Sequence, residues 1–459
     1  MNETLLGMPG VVSDRVPRRS GKRYVVKTFG CQMNEHDSER IAGLFELDGM
    51  ERVSGVEDAD VVFINTCTIR ENADNRLYGN LGHLKQFKDE HPAALLIVGG
   101  CAAQKDRDLV RERAPWVDVV LGTHNLDRVL DLMDVASADG GVTEVIGELA
   151  TMPSLLPARR RHAHSAWVTI QIGCNNTCTF CIVPSVRGHE ISRRPGDIVA
   201  EIEGLAAEGV VEVTLLGQNV NTYGRDLALD GKRRPIFAEL LRRVGAVDGI
   251  RRVRFTSPHP ADFREDVAAA MAETDVVCDQ LHLPLQSGSD RILAAMHRGY
   301  NVQRFLERLT LARSYVPTLT VSTDVIVGFP GETAEDFQGT MDVMESARFD
   351  QAFTFIFSPR PGTQAAEMAD QFVDAEVVSS RYQRLIELQN QIGLESNQAQ
   401  VGRVLEVLTE GPSKKDPTMA TTRTAGNRVV HLPGDFPAGE FLNVEIIKAA
   451  RHHLVGALR

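Results

Sequence analysis

The run Gly173-Cys174-Asn175-Asn176-Thr177-Cys178-Thr179-Phe180-Cys181 decides how this chain is read. Its C-x3-C-x2-C spacing gathers three thiols that can cap three corners of a cubane iron–sulfur cluster, whose irons prefer thiolate ligands. The fourth iron then lacks a protein ligand and is open to a small chelating molecule. Zinc competes for such cysteines, but closed structural zinc sites use four ligands, commonly two C-x2-4-C pairs, and no second pair lies nearby. Inert burial is the bland reading, and the polar Asn and Thr between the cysteines speak against a core stripe.

Around that run lies a chain of 459 residues, 43% hydrophobic and 24% charged, with the balance of an ordinary soluble globular protein. Its length allows roughly two to four domains. The seven cysteines, at 31, 67, 101, 174, 178, 181 and 278, are spread thinly, which fits a reducing compartment and metal ligation better than disulfides. Residues 1–20 lack an apolar signal core and no stretch approaches a membrane span, so a cytoplasmic protein with no membrane partner is expected. The net charge of −12 opposes a uniformly electrostatic grip on nucleic acid. It is concentrated early: residues 21–150 hold 14 Lys and Arg against 23 Asp and Glu. Later segments carry tight basic groups: Arg159-Arg160-Arg161, Arg193-Arg194, Lys232-Arg233-Arg234 and Arg251-Arg252-Arg254. Each is either solvated surface charge or part of a local nucleic-acid footprint.

Three β-rich runs, Arg23–Gly30, Ala59–Thr66 and Ala93–Gly100, each end at a cysteine: Cys31, Cys67 and Cys101. Helical stretches such as Ser38 to Leu47 and Asn72 to Lys88 separate them, and Val117–Leu121 supplies a fourth run. Such alternation predicts a parallel sheet with crossover helices. All three cysteines then lie at the carboxyl edge of one sheet, where open α/β folds bind ligands. They either converge on a second cluster or are small buried residues at strand ends. Residues 139–165 read as a linker, with His162 and His164 as solvated residues. Six further strands follow: Trp167–Ile172, Val211–Leu216, Arg252–Phe255, Gln280–Leu285, Thr320–Val327 and Gln351–Phe357. They alternate with helices, and this predicts a barrel or open barrel with its chemistry at the strands' carboxyl ends. A helical connector from Tyr382 to about Gln400 and four short β-type runs predict a small C-terminal all-β barrel. Cys278 has no cysteine companion and reads as structural.

The cysteine triad, with Phe180 before its last member, resembles that of the radical S-adenosylmethionine (SAM) enzymes. The whole pattern resembles their methylthiotransferase family from about Lys22 to Leu458. Gly30-Cys31-Gln32-Met33-Asn34, Asn65-Thr66-Cys67-Thr68-Ile69-Arg70-Glu71-Asn72 and Cys181-Ile182-Val183-Pro184-Ser185-Val186-Arg187-Gly188 resemble the members that act on N6-dimethylallyladenosine beside the tRNA anticodon. The sister enzymes act on threonylcarbamoyladenosine or on a ribosomal-protein aspartate. The resemblance implies an α/β multidomain chain: an N-terminal parallel-sheet domain at 22–138, a partial (β/α)6 radical SAM barrel at 160–381 and a TRAM-like module at 382–459.

It also implies two 4Fe-4S clusters, one on Cys174, Cys178 and Cys181 and an auxiliary one on Cys31, Cys67 and Cys101, together with SAM. Phe180, Gly217, Gln218, Asn219, Gly328 and Glu332 are the implied cofactor contacts; no catalytic acid or base is singled out. The implied partners are isopentenylated tRNA and a reducing protein such as a flavodoxin. Arg193, Arg194, Arg233, Arg234 and Arg423 are candidates for steering the tRNA. The alternative from another class is an electron-transfer or cluster-carrier protein, which needs neither nucleoside-binding loops nor the C-terminal barrel.

Overall fold

The computed structural model describes residues 16–68, 71–147, 156–228, 231 and 233–459. Ile69, Arg70, Pro153 and Lys232, which the motifs, linker and basic groups above include, lie outside them. The chain forms two compact units: Met1–Arg161 with Ile172–Asn176 and Cys181–Arg193, and His162–Gln171 with Thr177–Phe180 and Arg194–Arg459.

The first unit is built on strands β1 (Arg23–Phe29), β2 (Glu51–Arg52), β3 (Val61–Thr66), β4 (Leu95–Gly99), β5 (Val119–Leu121) and β6 (Val142–Glu144). They form one parallel sheet in the order β2-β1-β3-β4-β5-β6. Every residue of β3 is buried, as expected of a central strand covered on both faces. Successive side chains part to opposite sides. Phe63 joins Tyr24, Ile41 and Phe45 on one face, while Val62 and Ile64 meet Leu77, Leu81 and Leu84 on the other. Helices α1 (Gln32–Leu47) and α2 (Glu71–Glu90) supply these layers. The sheet is wider than the sequence predicts. Strands β2 and β6 are too short to show a period, and β6 takes part of the presumed linker into the sheet.

In the second unit, β7 (Ser165–Thr169) opens the barrel. The short strands β8 (Gln171–Ile172) and β9 (Ile191–Ser192) flank the cysteine loop in sequence. The second unit continues with β10 (Glu212–Leu216), β11 (Arg252–Phe255), β12 (Gln280–His282), β13 (Thr320–Val327) and β14 (Gln351–Ile356). The parallel triples β11-β10-β7 and β12-β13-β14 are joined by the bridge Val253↔Val277, giving the expected six-stranded partial barrel. Val168, Val213, Leu215, Val253, Leu281, Val321 and Val325 pack outward in the main core with Leu240, Leu241, Phe305 and Phe337 of the surrounding helices. His164 is buried rather than solvated, because its carbonyl accepts the Val211 and Glu212 N–H groups at 2.9 and 3.1 Å as the first strand begins.

The connecting helix spans Ala375–Gln398, beginning earlier than Tyr382 because Asp374 caps it by accepting from the Glu376 and Val377 N–H groups. Beyond it, β15 (Val404–Pro412), β16 (Met419–Thr424), β17 (Val429–Pro433), β18 (Phe441–Ala449) and β19 (Leu454–Leu458) close into a five-stranded barrel. Among the described residues no helix is long and apolar enough to cross a membrane.

Candidate functional site

Strands β1, β3 and β4 are neighbours, so the residues that follow them meet at one sheet edge. Cys31 precedes α1 in extended conformation, Cys67 donates its N–H to Phe29 O at 2.8 Å, and Cys101 opens the short helix α3 (Cys101–Asp106). A Cβ added at Gly30 would stand 2.6 Å from the Cys67 Cβ, so only glycine lets these two turns approach. Asn34 and Asn65 stitch the turns together: Asn34 Nδ2 donates to Asn65 Oδ1, and Asn65 Nδ2 to Asn34 O, both at 2.8 Å. The sulfurs sense one another. A hydrogen bond from Cys67 and the Arg187 charge, acting against burial, bring the Cys31 thiol down to about 6. Burial pushes the Cys101 thiol up, with Arg187 opposing it.

Arg187 is buried and bonded to Asp37 at 2.8 Å. Ile182 and Val186 of the same segment pack on Cys101. Neither Arg187 nor Asp37 stands out as a site residue in the sequence, because 150 positions separate them. Among the described residues no three His, Cys, Asp or Glu side chains are gathered tightly enough for a single ion. A cubane takes each ligand on a different iron, and three buried or half-buried thiols at adjacent strand ends, with a cation beside them, suit it.

The triad loop is held by its backbone. Cys174 N–H donates to Gly188 O at 3.1 Å, and a side chain at Gly173 (φ 78°) would strike His189 O. Thr179 donates through N–H and Oγ1 to Met296 O and Ala295 O at 3.2 and 2.9 Å. Phe180 packs against the buried cluster Ile292, Met296, Phe329 and Ala365. Cys178 Sγ accepts from Arg298 Nη1 at 3.2 Å.

At the carboxyl ends of the barrel strands, Gln171 Oε1, Gln218 Oε1, Asn219 Oδ1, Asn221 Oδ1, His259 Nε2 and Gln286 Oε1 are buried with no partner among the described residues. Each such atom costs about 1–3 kcal/mol unless a ligand meets it, so their gathering at one end of the barrel fits a polar cofactor. Gln218 and Asn219 are among the cofactor contacts that the sequence implies; Gln171, Asn221, His259 and Gln286 are not. Burial, aided by the Arg298 charge, pushes His259 down to about 2, so its ring is neutral. Its Nδ1 accepts the Ala261 N–H at 3.3 Å, which leaves the proton on the unpartnered Nε2.

Gly217, which follows β10, is also buried. Gly328 (φ 76°) donates its N–H to Glu332 at 3.0 Å, and Arg381 binds the same carboxylate oxygen at 2.8 Å. Glu332 is thereby committed to shaping the loop rather than offering a free carboxylate.

The basic groups divide. Arg193 is 2% exposed and cannot meet a phosphate there. Arg252 donates to Arg423 O and Glu406 O at 2.7 and 3.2 Å, and Arg254 to Ala425 O and Thr424 O at 2.8 Å, so two arginines that read as surface charge bind the C-terminal barrel. Arg423 is held by Glu410 and Arg234 by Glu239, each at 2.5 Å. Arg194, Arg233 and Arg234 are exposed. Cys278 is buried and its thiol is pushed up to about 11 by desolvation, as suits a structural residue.

Residues 23–122 match Uncharacterized protein family UPF0004, residues 168–344 the Radical SAM superfamily and residues 398–458 the TRAM domain. A Mycolicibacterium smegmatis protein is 54% identical over 456 residues, covering 97% of this chain and 88% of its own length. One from Parafrankia sp. is 54% identical over 449 residues, covering 95% and 90%. Both are named tRNA-2-methylthio-N(6)-dimethylallyladenosine synthase. Among solved structures, the radical S-adenosylmethionine methyltransferase TsrM from Kitasatospora setae aligns with TM-score 0.56 at 14% identity, covering 76% of this chain and 78% of its own, a likeness of fold. With more than half of its residues shared along almost its whole length, the chain belongs to the tRNA-2-methylthio-N(6)-dimethylallyladenosine synthase family of radical SAM proteins.

Proposed function

We propose that this protein is a radical SAM methylthiotransferase that places a methylthio group on C2 of N6-dimethylallyladenosine beside the tRNA anticodon. The observation that carries this reading is the 54% identity to synthases of that name over 97% of the chain. Cys174, Cys178 and Cys181 would hold one 4Fe-4S cluster, and Cys31, Cys67 and Cys101 a second. When bound, such clusters supply a low-potential electron for SAM cleavage at the first site and an open iron able to hold sulfur at the second.

The chain's own residues bind, orient and exclude water. The unpartnered amides Gln171, Gln218, Asn219 and Gln286 offer acceptors to the polar groups of SAM, and neutral His259 offers a donor. Phe180, with Phe329 and Met296 behind it, gives an apolar wall for the adenosyl group. Gly217 leaves the loop after β10 slender, and Gly328 and Glu332 fix the loop after β13. No side chain is assigned as a general acid or base, because an unactivated aromatic carbon is substituted here by radical chemistry. The C-terminal barrel and exposed arginines would engage the tRNA. A flavodoxin-like donor in the cytoplasm would supply electrons.

Anaerobic reconstitution should yield about eight irons per chain, four per cubane. Replacing Cys174, Cys178 and Cys181 with Ala should leave about four irons and abolish SAM cleavage. Replacing Cys31, Cys67 and Cys101 should leave the same iron content while abortive cleavage persists. Mass spectrometry of anticodon-loop nucleosides, after incubation with dithionite, SAM and isopentenylated tRNA, should detect the methylthiolated base. Methylthiolation of only a threonylcarbamoylated tRNA would overturn the substrate assignment, and an absence of SAM cleavage would favour a cluster carrier.

A further inference from the structure

Arg298 is 6% exposed, and among the described residues no carboxylate lies within ion-pair distance of it. An arginine stays charged even when buried, and a buried cation is costly unless an anion and hydrogen bonds compensate it. Among the described residues its guanidinium has two hydrogen-bond partners. Nη1 donates to Cys178 Sγ at 3.2 Å, and Nε donates to the Tyr300 hydroxyl, also at 3.2 Å. The Tyr300 O–H faces the Pro284 and Leu285 carbonyls, each at 2.9 Å, so the hydroxyl is fixed as donor to backbone and acceptor from Arg298. The guanidinium also lies 5.5 Å from the Tyr300 ring centroid. The segment that carries Arg298 grips the neighbouring residue as well, through the two Thr179 bonds to Ala295 O and Met296 O. The cation is thus locked against one sulfur of the triad, and a cysteine sulfur that ligates iron does so as a thiolate. Nearby His259 is neutral and adds no second positive charge.

We propose that Arg298 is a positioning residue for radical generation: its buried guanidinium holds the Cys178 thiolate and raises the reduction potential of the cluster bound there. The inference rests on the reading of Cys174, Cys178 and Cys181 as cluster ligands. Reduction takes one electron from a low-potential donor, dithionite in the test below, and adds one negative charge to the cluster without breaking a bond. A fixed cation that donates to a ligand sulfur favours the more negative state. Tyr300 keeps the guanidinium aimed at sulfur.

The test uses full-length chain reconstituted anaerobically with iron and sulfide, with Cys31, Cys67 and Cys101 changed to Ala so that one cluster is observed. Mediated redox titration, followed by electron paramagnetic resonance of the reduced cluster, gives the ratio of reduced to oxidised centre at a fixed potential. Arg298→Met and Arg298→Gln should keep about four irons per chain and lower that ratio at least tenfold, a fall of about 59 mV for a one-electron couple. Arg298→Lys, which keeps the charge, should recover most of the difference.

An unchanged ratio in the Met or Gln variant at full iron content overturns the proposal while leaving the cluster reading intact. Loss of the cluster from the Met, Gln and Lys variants alike makes Arg298 a purely structural residue and also overturns it. Where Met alone loses its iron, the Gln and Lys pair decides by the same criterion. Absence of a cluster from the Arg298 parent removes both the proposal and the ligand reading beneath it.

Discussion

Gly328 sits at φ 76°, and a Cβ there would stand 2.5 Å from Val378 Cγ2. Left-handed backbone and overpacking together should make Gly328→Ala destabilising by roughly 2–4 kcal/mol. Urea unfolding should show a lower midpoint at constant slope, partly recovered by adding Val378→Ala; an unchanged midpoint would contradict the packing argument. Glu39 shows a different constraint. Burial pushes its carboxyl up to about 7, against the Arg161 N–H that donates to it at 2.8 Å. The folded chain therefore binds this proton more tightly than the unfolded chain, whose Glu titrates near about 4.3. The contribution is fully present below that pH and is lost as pH rises through about 7. Glu39→Gln keeps the acceptor and loses the charge, so its melting temperature should gain on the parent between about pH 5 and about pH 8. A difference that stays flat with pH would refute this account. At this scale the cysteines were legible because each stands at a strand end or in a tight motif. Arg187 and Arg298 were not, since Asp37 and Cys178 lie 150 and 120 positions away.

At the scale of elements, apolar runs predicted the principal strands of the sheet and all six of the barrel, with ends shifted by a few residues. The misses share a cause: Glu51–Arg52 and Val142–Glu144 are too short for a period to emerge, and only the neighbouring strand makes them strands. Strand β11 carries a second lesson. Arg252 and Arg254 alternate with Val253 and Phe255, whose side chains enter the hydrophobic core, and use their other face to bind carbonyls of the C-terminal barrel. Arg254 also meets Glu212 at 3.0 Å, and both side chains are largely buried. Arg254→Met leaves the Glu212 carboxylate and the Ala425 carbonyl without this donor, while Thr424 O keeps the Asn427 N–H, and should cost about 3–5 kcal/mol. Limited proteolysis should then release residues near 399–459 faster than from the parent; equal rates would mean that the clamp contributes little.

Across the whole molecule, net charge says little about where tRNA binds. The chain carries −12 overall, and several of its arginines are consumed internally. Arg194 and Arg233 remain exposed, whereas Arg193 does not. Replacing both exposed residues with Gln should flatten the log–log salt dependence of tRNA binding by about one unit for each phosphate no longer neutralised. Fluorescence anisotropy over a salt series measures this directly. An unchanged slope would move the tRNA path elsewhere, and deletion of residues 399–459 without loss of affinity would remove the C-terminal barrel from it.

The sequence by itself determined the three-part organisation, the strand-then-helix alternation of the cysteine-bearing repeats and the spacing of the two groups of three cysteines. These are local signals, carried by periodicity and by spacing within one loop or at one strand end. Only the tertiary structure decided that Arg187 and Arg298 lie against candidate ligand sulfurs, that Arg193, Arg252 and Arg254 are buried, and that six polar atoms stand unpartnered at one end of the barrel. The physical reason is that a charge or amide gains its role from desolvation and from partners distant along the chain. Neither leaves a period in the sequence.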